Sequence, residues 1–177
     1  MVPGHPLKIE QASLTAKRGT NKTVDVQERI LQIDSELALW LAADEETIII
    51  PAAALRSCLE AAARKTKQGP NVREGLYVEN DAELEYDREK LGKTIPEVAK
   101  NAAYDVTVVV QRNRTLRRRP RFEKWAATFF IDTDPELVDQ VMLQQWLDVG
   151  GRRIGIGDWR PQKSGHFGRF SAVITEI

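Results

Sequence analysis

The segment from Gly150 to Phe170, GGRRIGIGDWRPQKSGHFGRF, constrains the fold more than any other stretch, because six glycines lie close together in it. Glycine adopts backbone conformations that other residues avoid and lets another group approach the main chain closely. Bare amides beside guanidinium groups suit phosphate, and an exposed aromatic ring suits a nucleobase. The segment predicts either a phosphate- and base-binding loop or a glycine-rich hairpin with ordinary surface charge. The candidate contact residues are Arg152, Arg153, Gly155, Gly157, Trp159, Arg160, Lys163, His166 and Arg169.

The common nucleotide-binding motifs do not occur in the sequence. Gly155-Ile156-Gly157 is followed by Asp158-Trp159-Arg160, so no G-x-G-x-x-G pattern opens a helix there. The P-loop pattern G-x-x-x-x-G-K-[ST] is also missing. We therefore predict no nucleotide cofactor.

Length and cysteine content limit the class of protein. The chain of 177 residues is long enough for a buried core, and we predict one domain over residues 1–177. It has 26 basic and 26 acidic residues, so the net charge identifies no partner. Cys58 is the single cysteine, which excludes an internal disulfide and fits a reducing cytoplasm. Without a signal peptide or a long apolar run, we expect a cytoplasmic protein that does not enter a membrane.

The first part of the chain predicts a strand, a hairpin and a helix. Apolar alternation from Leu7 to Ala16 indicates a strand, whereas Val24 to Ile33 is ambiguous between extended and irregular structure. Residues 37–50 predict a hairpin that turns at an acidic cluster. Helical spacing of apolar residues predicts a helix over residues 52–67, with Cys58 packed in the core.

Residues 71–103 are expected to form a mobile insertion. Carboxylates recur there at every second position, which is typical of a solvated segment. The alternative is that these side chains together hold a divalent cation. They are Asp81, Glu83, Glu85, Asp87 and Glu89.

A dense arginine segment follows the β-branched run from Tyr104 to Val110, which predicts a strand. The chain resumes as a predicted strand at Trp125–Ile131, so the arginines lie in a basic hairpin at about residues 111–124, on a connection or on the strand ends. Like charges this dense repel one another, and an anionic partner would explain them better than solvent alone. The arginines are Arg112, Arg114, Arg117, Arg118, Arg119 and Arg121.

The order of elements predicts an α+β fold. A second helix is expected from Asp134, as its N-cap, to Gly150, and a closing strand over residues 170–174. Without the hairpin and the insertion, the order is βαββαβ, a ferredoxin-like or RRM-like arrangement with a four-stranded antiparallel sheet. Both helices would cover one face of the sheet and leave the other face and its loops to bind a ligand.

Two segments resemble the RAMP superfamily, whose members are RRM-like and serve as CRISPR-associated backbone and guide-processing subunits. Ile48 to Arg56, IIIPAAALR, is similar to the isoleucine-proline helix start of that superfamily, and Gly155 to Phe170 is similar to its C-terminal glycine-rich loop. The resemblance implies an RRM-like fold that binds single-stranded RNA, with copies assembling into a filament. The chain is short for a CRISPR backbone subunit, which fits a stand-alone relative such as one from a phage or plasmid.

The resemblance does not supply a catalytic centre. Members that process RNA commonly use a histidine base near the first helix, whereas the histidines here are His5 and His166. We therefore predict no catalytic residue and no metal site, and a protein that binds single-stranded RNA or DNA and self-associates along it. The alternatives are a RAMP-type endoribonuclease, using His166 or the carboxylates of residues 81–89 with a metal, and a protein-binding mimic that inhibits or caps a CRISPR-type assembly.

Overall fold

Residues 5–16, 24–110 and 112–177 are described in a computed structural model, which has a mixed α+β fold. The described residues contain seven α-helices, α1 to α7, at Pro6–Ala16, Val24–Glu36, Ala52–Ala63, Gly69–Gly75, Arg88–Leu91, Ile95–Asn101 and Gln140–Val149. Their strands, β1 to β8, lie at Ile49–Ile50, Leu76–Val78, Ala82–Glu83, Glu85–Tyr86, Ala103–Val110, Asn113–Pro120, Trp125–Ala126 and Ile131–Thr133.

The chain divides into two compact units, and each is built from two stretches of sequence. The first unit contains residues 1–49 and 83–126, and the second contains residues 50–82 and 127–177. The predicted basic segment belongs to the first unit and the glycine-rich segment to the second. The single domain over residues 1–177 stays a prediction.

The first unit is built around the antiparallel hairpin of β5 and β6. The predicted strand over residues 104–110 is confirmed, and its partner β6 is formed by the arginine segment itself, from Asn113 to Pro120. Helices α2 and α6 pack beside this hairpin, and Ser35 donates a hydrogen bond to the carbonyl of Ala99 at 2.8 Å. The hairpin predicted over residues 37–50 is seen in part: Leu41 bridges to Ile48, whereas residues 37–39 form a turn after α2.

The strand predicted over residues 7–16 is wrong, because this stretch forms α1. Its half-buried residues are Leu7, Glu10, Gln11 and Leu14, which is the spacing of one helix face and not of a strand. The ambiguous stretch from Val24 to Ile33 is helical as well, within α2.

The mobile insertion predicted at residues 71–103 is also wrong. This stretch is ordered into α4, α5, α6 and three short strands, and it contributes fully buried Val72 and Val98 to the cores of the two units. Side-chain caps explain part of the order. Asp87 accepts from the amide of Lys90 at 3.0 Å, and Thr94 and Glu97 form a reciprocal capping box at the start of α6.

The second unit contains the predicted first helix, which is confirmed as α3 followed by a turn of 3-10 helix to Thr66. Cys58 and Leu59 are buried on its inner face, and α3 packs against α7. Trp146 on α7 is fully buried, and its indole donates to the Oε1 atom of Gln68 at 3.1 Å. Strands β2 and β8 pair antiparallel in this unit.

Three further predictions near the end of the chain need correction. Asp134 caps a turn, since its side chain accepts from the amide of Glu136, and α7 begins later with Asp139 as its N-cap. The strand predicted over residues 125–131 is interrupted, because the chain passes from one unit to the other after Ala126. Residues 170–174, predicted as a closing strand, have no regular secondary structure.

A four-stranded sheet is not seen among the described residues, whose strands pair two by two.

Candidate nucleic-acid interface

The glycine-rich segment begins with a π-helical turn that sorts apolar from charged side chains. Helix α7 continues into this turn at Gly150–Ile154, and the amide of Gly155 donates to the carbonyl of Gly150 at 2.7 Å. Ile154 is buried, whereas Arg152 and Arg153 between it and the helix are exposed. The turn therefore anchors the segment with Ile154 and presents two adjacent guanidinium groups to solvent.

Most glycines of the segment serve its own packing. A β-carbon on Gly165 would overlap the carbonyl of Trp159, and one on Gly168 would overlap the carbonyl of Ile156. Backbone hydrogen bonds join the same parts of the loop. The amide of Phe167 donates to the carbonyl of Trp159 at 3.1 Å, and the amide of Ile156 donates to the carbonyl of Gly168 at 2.9 Å. These glycines let two arms of the loop lie against each other.

Gly157 differs from the other glycines. Its φ of 84° lies in the region that favours glycine, yet a β-carbon there would meet no atom within 4 Å. Its carbonyl accepts from the Nη1 atom of Arg160 at 3.0 Å. Gly157 is thus the position of the loop where the backbone faces open space, with a guanidinium group fixed beside it.

Trp159 stands at the tip of the same loop. Its φ of 50° is unusual for a residue with a side chain, and its side chain is 43% exposed. The indole meets the ring of Phe167 edge to face, with centroids 5.7 Å apart, and the ring of His166 lies 6.4 Å away. Such an arrangement leaves an indole surface available for stacking.

The loop also presents cations that have no acidic partner. Arg152, Arg153, Lys163 and Arg169 are all exposed, and within the described residues none of the four forms an ion pair. Unpaired guanidinium and ammonium groups of this kind are available to phosphate oxygens. The structure therefore brings together in one loop the predicted residues from Arg152 to Arg169.

The arginines of residues 112–121 differ from those of the loop, because four of the six pair with carboxylates. Arg118 lies directly across the hairpin from Asp105, to which its Nε atom donates at 2.7 Å, and it also pairs with Glu28 of α2. This hydrogen bond from Arg118 holds the pKa of Asp105 below its usual value. Arg117 donates to both carboxylate oxygens of Asp34, at 2.9 and 3.1 Å.

Of the other four arginines of this segment, two also lie near a carboxylate and two are exposed at the hairpin turn. Arg119 lies 3.8 Å from Asp34, and Arg121 lies over the ring of Tyr104 and 4.0 Å from Glu123. Arg112 and Arg114 are exposed at the hairpin turn, where Arg112 has a φ of 67°. Gln111, the first residue of the predicted basic hairpin, lies outside the described residues.

The acidic run of residues 81–89 is used for local structure. Asp81 accepts from the amide of Ala52, Glu83 pairs with Arg88, and Asp87 caps α5. No group of three potential metal ligands comes together in the described ranges of the chain. Cys58 packs in the core as predicted, and burial raises the pKa of its thiol to about 11.

The carboxylates that neutralise the arginines are the functional residues that the sequence did not reveal. Asp34 and Glu28 lie far from the arginines in sequence, and only the helical fold of α2 brings them there. Asp105 could have been found, because the pairing of Val110 with Asn113 places it in register with Arg118.

Comparison with known proteins adds no relative to these observations. None of the helices in the described ranges is long and apolar enough to cross a lipid bilayer. No protein-family model, curated protein or solved structure matches the chain.

Proposed function

We propose that this protein binds single-stranded nucleic acid through the loop of residues 150–170, mainly by its sugar–phosphate backbone and without cleaving it. One observation carries the proposal. A single loop presents four exposed cations that have no acidic partner in the described ranges, an exposed indole, and Gly157, where an added β-carbon would meet open space. Cations supply affinity for phosphate in any sequence, and an aromatic face stacks on any base.

The choice of a single strand over a duplex depends on Trp159. A base can reach an exposed indole only when it is unstacked from its neighbours, as in single-stranded regions. The indole is 43% exposed, and its contact with the ring of Phe167, at a centroid distance of 5.7 Å, helps to hold its orientation. RNA and DNA share the phosphates and bases that this site would contact.

Kinship with the RAMP superfamily is part of the proposal, together with the four-stranded RRM-like arrangement that it implies. Its support is local. The isoleucine-proline segment forms the short strand β1, then Pro51 as the N-cap, then the helix α3, and the glycine-rich loop follows the last helix. Self-association along the nucleic acid, and assembly with other CRISPR-type subunits, belong to the same proposal.

Binding in the presence of EDTA tests the proposal. Fluorescence anisotropy with fluorescein-labelled oligouridine and oligodeoxythymidine would measure affinity, and a denaturing gel of the same samples would reveal cleavage. We expect binding that weakens steeply with salt, and intact oligonucleotide. Cleavage that depends on added magnesium or on His166 would favour an endoribonuclease. If neither strand binds, the proposed function is wrong.

Size-exclusion chromatography with and without the oligonucleotides tests self-association. We expect protein and nucleic acid to elute together in a species larger than one copy bound to one strand. A protein that ignores both oligonucleotides, yet binds a CRISPR-type assembly, would be the mimic described above.

A further inference from the structure

Helix α2 covers the central arginines of β6 with carboxylates. Asp34 receives two hydrogen bonds from Arg117 and lies 3.8 Å from Arg119, while Glu28 receives hydrogen bonds from Arg118, one of them at 3.3 Å. The side chain of Arg118 is only 12% exposed as a result. Two carboxylates of α2 therefore pair with the three central arginines of β6, and Asp105 of β5 also pairs with Arg118.

Polar side chains take a large part in the attachment of α2 to the rest of the first unit. Only its last four residues, Ile33 to Glu36, are buried, and Ile33 is the apolar residue among them. Val26, Ile30 and Leu31 are half-buried, and the helix also makes polar side-chain contacts, including a hydrogen bond from Gln32 to the carbonyl of Pro96 at 3.0 Å. Contacts of this kind can be exchanged for contacts with another anion, whereas a wide apolar seam cannot.

Helix α1 strengthens the polar character of this region. It has no buried residue, and it meets α2 through Arg29 and Glu10 at 2.8 Å and through Gln11 and Asp34 at 3.0 Å. The second of these contacts links α1, through Asp34, to the guanidinium of Arg117.

We propose that α2 is an intramolecular competitor, which occupies Arg117, Arg118 and Arg119 until phosphates of a single-stranded nucleic acid displace its carboxylates. A guanidinium group binds a phosphate through the same paired N–H donors that it offers to a carboxylate. The inference rests on the proposed function, because it assumes that the protein meets single-stranded nucleic acid. It adds a second, covered contact surface in the first unit.

Neutral replacements in α2 test the inference. In the double variant Glu28→Gln and Asp34→Asn the side chains keep their size but lose their charge. We expect this variant to bind oligouridine or oligodeoxythymidine roughly fivefold more tightly than the parent, since an ion pair of an exposed carboxylate such as Glu28 is worth a factor of about 1.4 to 5 and the loss of the buried Asp34 charge adds to it. The log–log salt slope should steepen by roughly 0.7 for each additional phosphate that the protein neutralises.

A matched control removes the effect of overall charge. The double variant Glu45→Gln and Glu46→Gln loses the same number of carboxylates from the first unit, and these two form no ion pair within the described residues. Its affinity should rise much less. Adding Arg117→Ala and Arg118→Ala to the α2 variant should abolish its increase in affinity.

Hydrogen exchange on the unaltered protein gives an independent readout, should the α2 variant fold poorly. Saturating oligonucleotide should speed amide exchange in residues 28–36 if phosphates displace the helix. Unchanged or slower exchange there would overturn the inference, as would an α2 variant that binds no better than the control. If the parent binds but the α2 variant binds no more tightly, the proposed function stands and this inference fails. If neither parent nor variant binds, both fail.

Discussion

The amide of Ile156 donates to the carbonyl of Gly168 at 2.9 Å, and the carbonyl of Ile156 occupies the place where a β-carbon on Gly168 would lie. The two arms of the glycine-rich loop are therefore in contact through their backbones. Gly168→Ala must separate them, and we expect it to reduce the free energy of unfolding by about 2 to 4 kcal/mol, measured by chemical denaturation. A variant as stable as the parent would show that the arms are not held this way.

Gly157→Ala should behave differently, because its β-carbon would meet open space. Only the positive φ opposes the substitution, at a cost of about 1 to 2 kcal/mol of stability. We expect weaker binding of single strands from a variant that remains folded, since the new methyl group would stand where the backbone is open to a ligand. Gly157→Asn is the control for strain alone, because asparagine tolerates this conformation better. Normal binding by both variants would remove Gly157 from the interface.

Trp159→Ala tests base stacking. Loss of a stacked base should weaken binding by roughly 1 to 3 kcal/mol, with the salt dependence unchanged because no cation is removed. Trp40→Ala is a well-matched control, since the exposed fractions of the two side chains are 42% for Trp40 and 43% for Trp159. Equal effects of the two variants in anisotropy titrations would contradict a specific role for Trp159.

The Cys58 thiol predicts a pH effect on stability. Burial raises its pKa to about 11 in the folded protein, whereas a thiol in the unfolded chain loses its proton near about pH 8.5. Between these two pKa values the unfolded state thus binds fewer protons than the folded state. The contribution of the thiol to the free energy of unfolding is therefore complete below about pH 8.5 and is lost as the pH rises toward the folded pKa. Denaturation of the parent and of Cys58→Ala should diverge at neutral pH and converge in alkali. A constant difference between them would show that the thiol titrates normally.

Charge reversal in the acidic run tests self-association. Suppose that this run pairs with Arg112 and Arg114 of a neighbouring copy. Replacing Glu83, Glu85 and Asp87 by Lys should then dissociate the oligomers that form on nucleic acid, which size-exclusion chromatography would measure. Glu83 and Asp87 already have partners within the chain, so the melting temperature must be compared as well. Oligomers that persist in a folded variant would make the two segments independent.

The sequence predicts elements well where one physical signal dominates. The β-branched run at residues 104–110 and the apolar spacing of α3 both gave the observed element. Prediction failed for α1, where Leu7 and Ile9 fit an alternating pattern, while the true face continues through polar Glu10 and Gln11. It failed again over residues 71–103, where capping by Asp87 and Thr94 orders a segment whose composition is that of a solvated loop.

The candidate site shows the same limit. Composition identified the cations of residues 112–121 and 152–169 equally well, since both segments are rich in arginine. It could not tell which of them are neutralised, because Asp34 reaches Arg117 only after α2 has folded and packed beside the hairpin. Partners distant in sequence are set by tertiary structure, and no local pattern records them.

The most direct test of the central claim compares two pairs of arginines in the second unit. Arg152→Ala with Arg153→Ala removes exposed cations that have no acidic partner in the described part of the chain. Arg64→Ala with Arg73→Ala removes the same charge from arginines that pair with Glu60, at 2.6 and 3.2 Å. Both pairs should be compared with the parent in anisotropy titrations over a series of salt concentrations, after melting curves show that each is folded.

We predict that removal of the Arg152 and Arg153 side chains weakens single-strand binding about tenfold at low salt and lowers the log–log salt slope by roughly 0.7 for each phosphate that is no longer neutralised. Removal of the Arg64 and Arg73 side chains should change both quantities little. Equal affinities and equal slopes for the two folded variants would contradict the claim that the loop of residues 150–170 binds the nucleic-acid backbone.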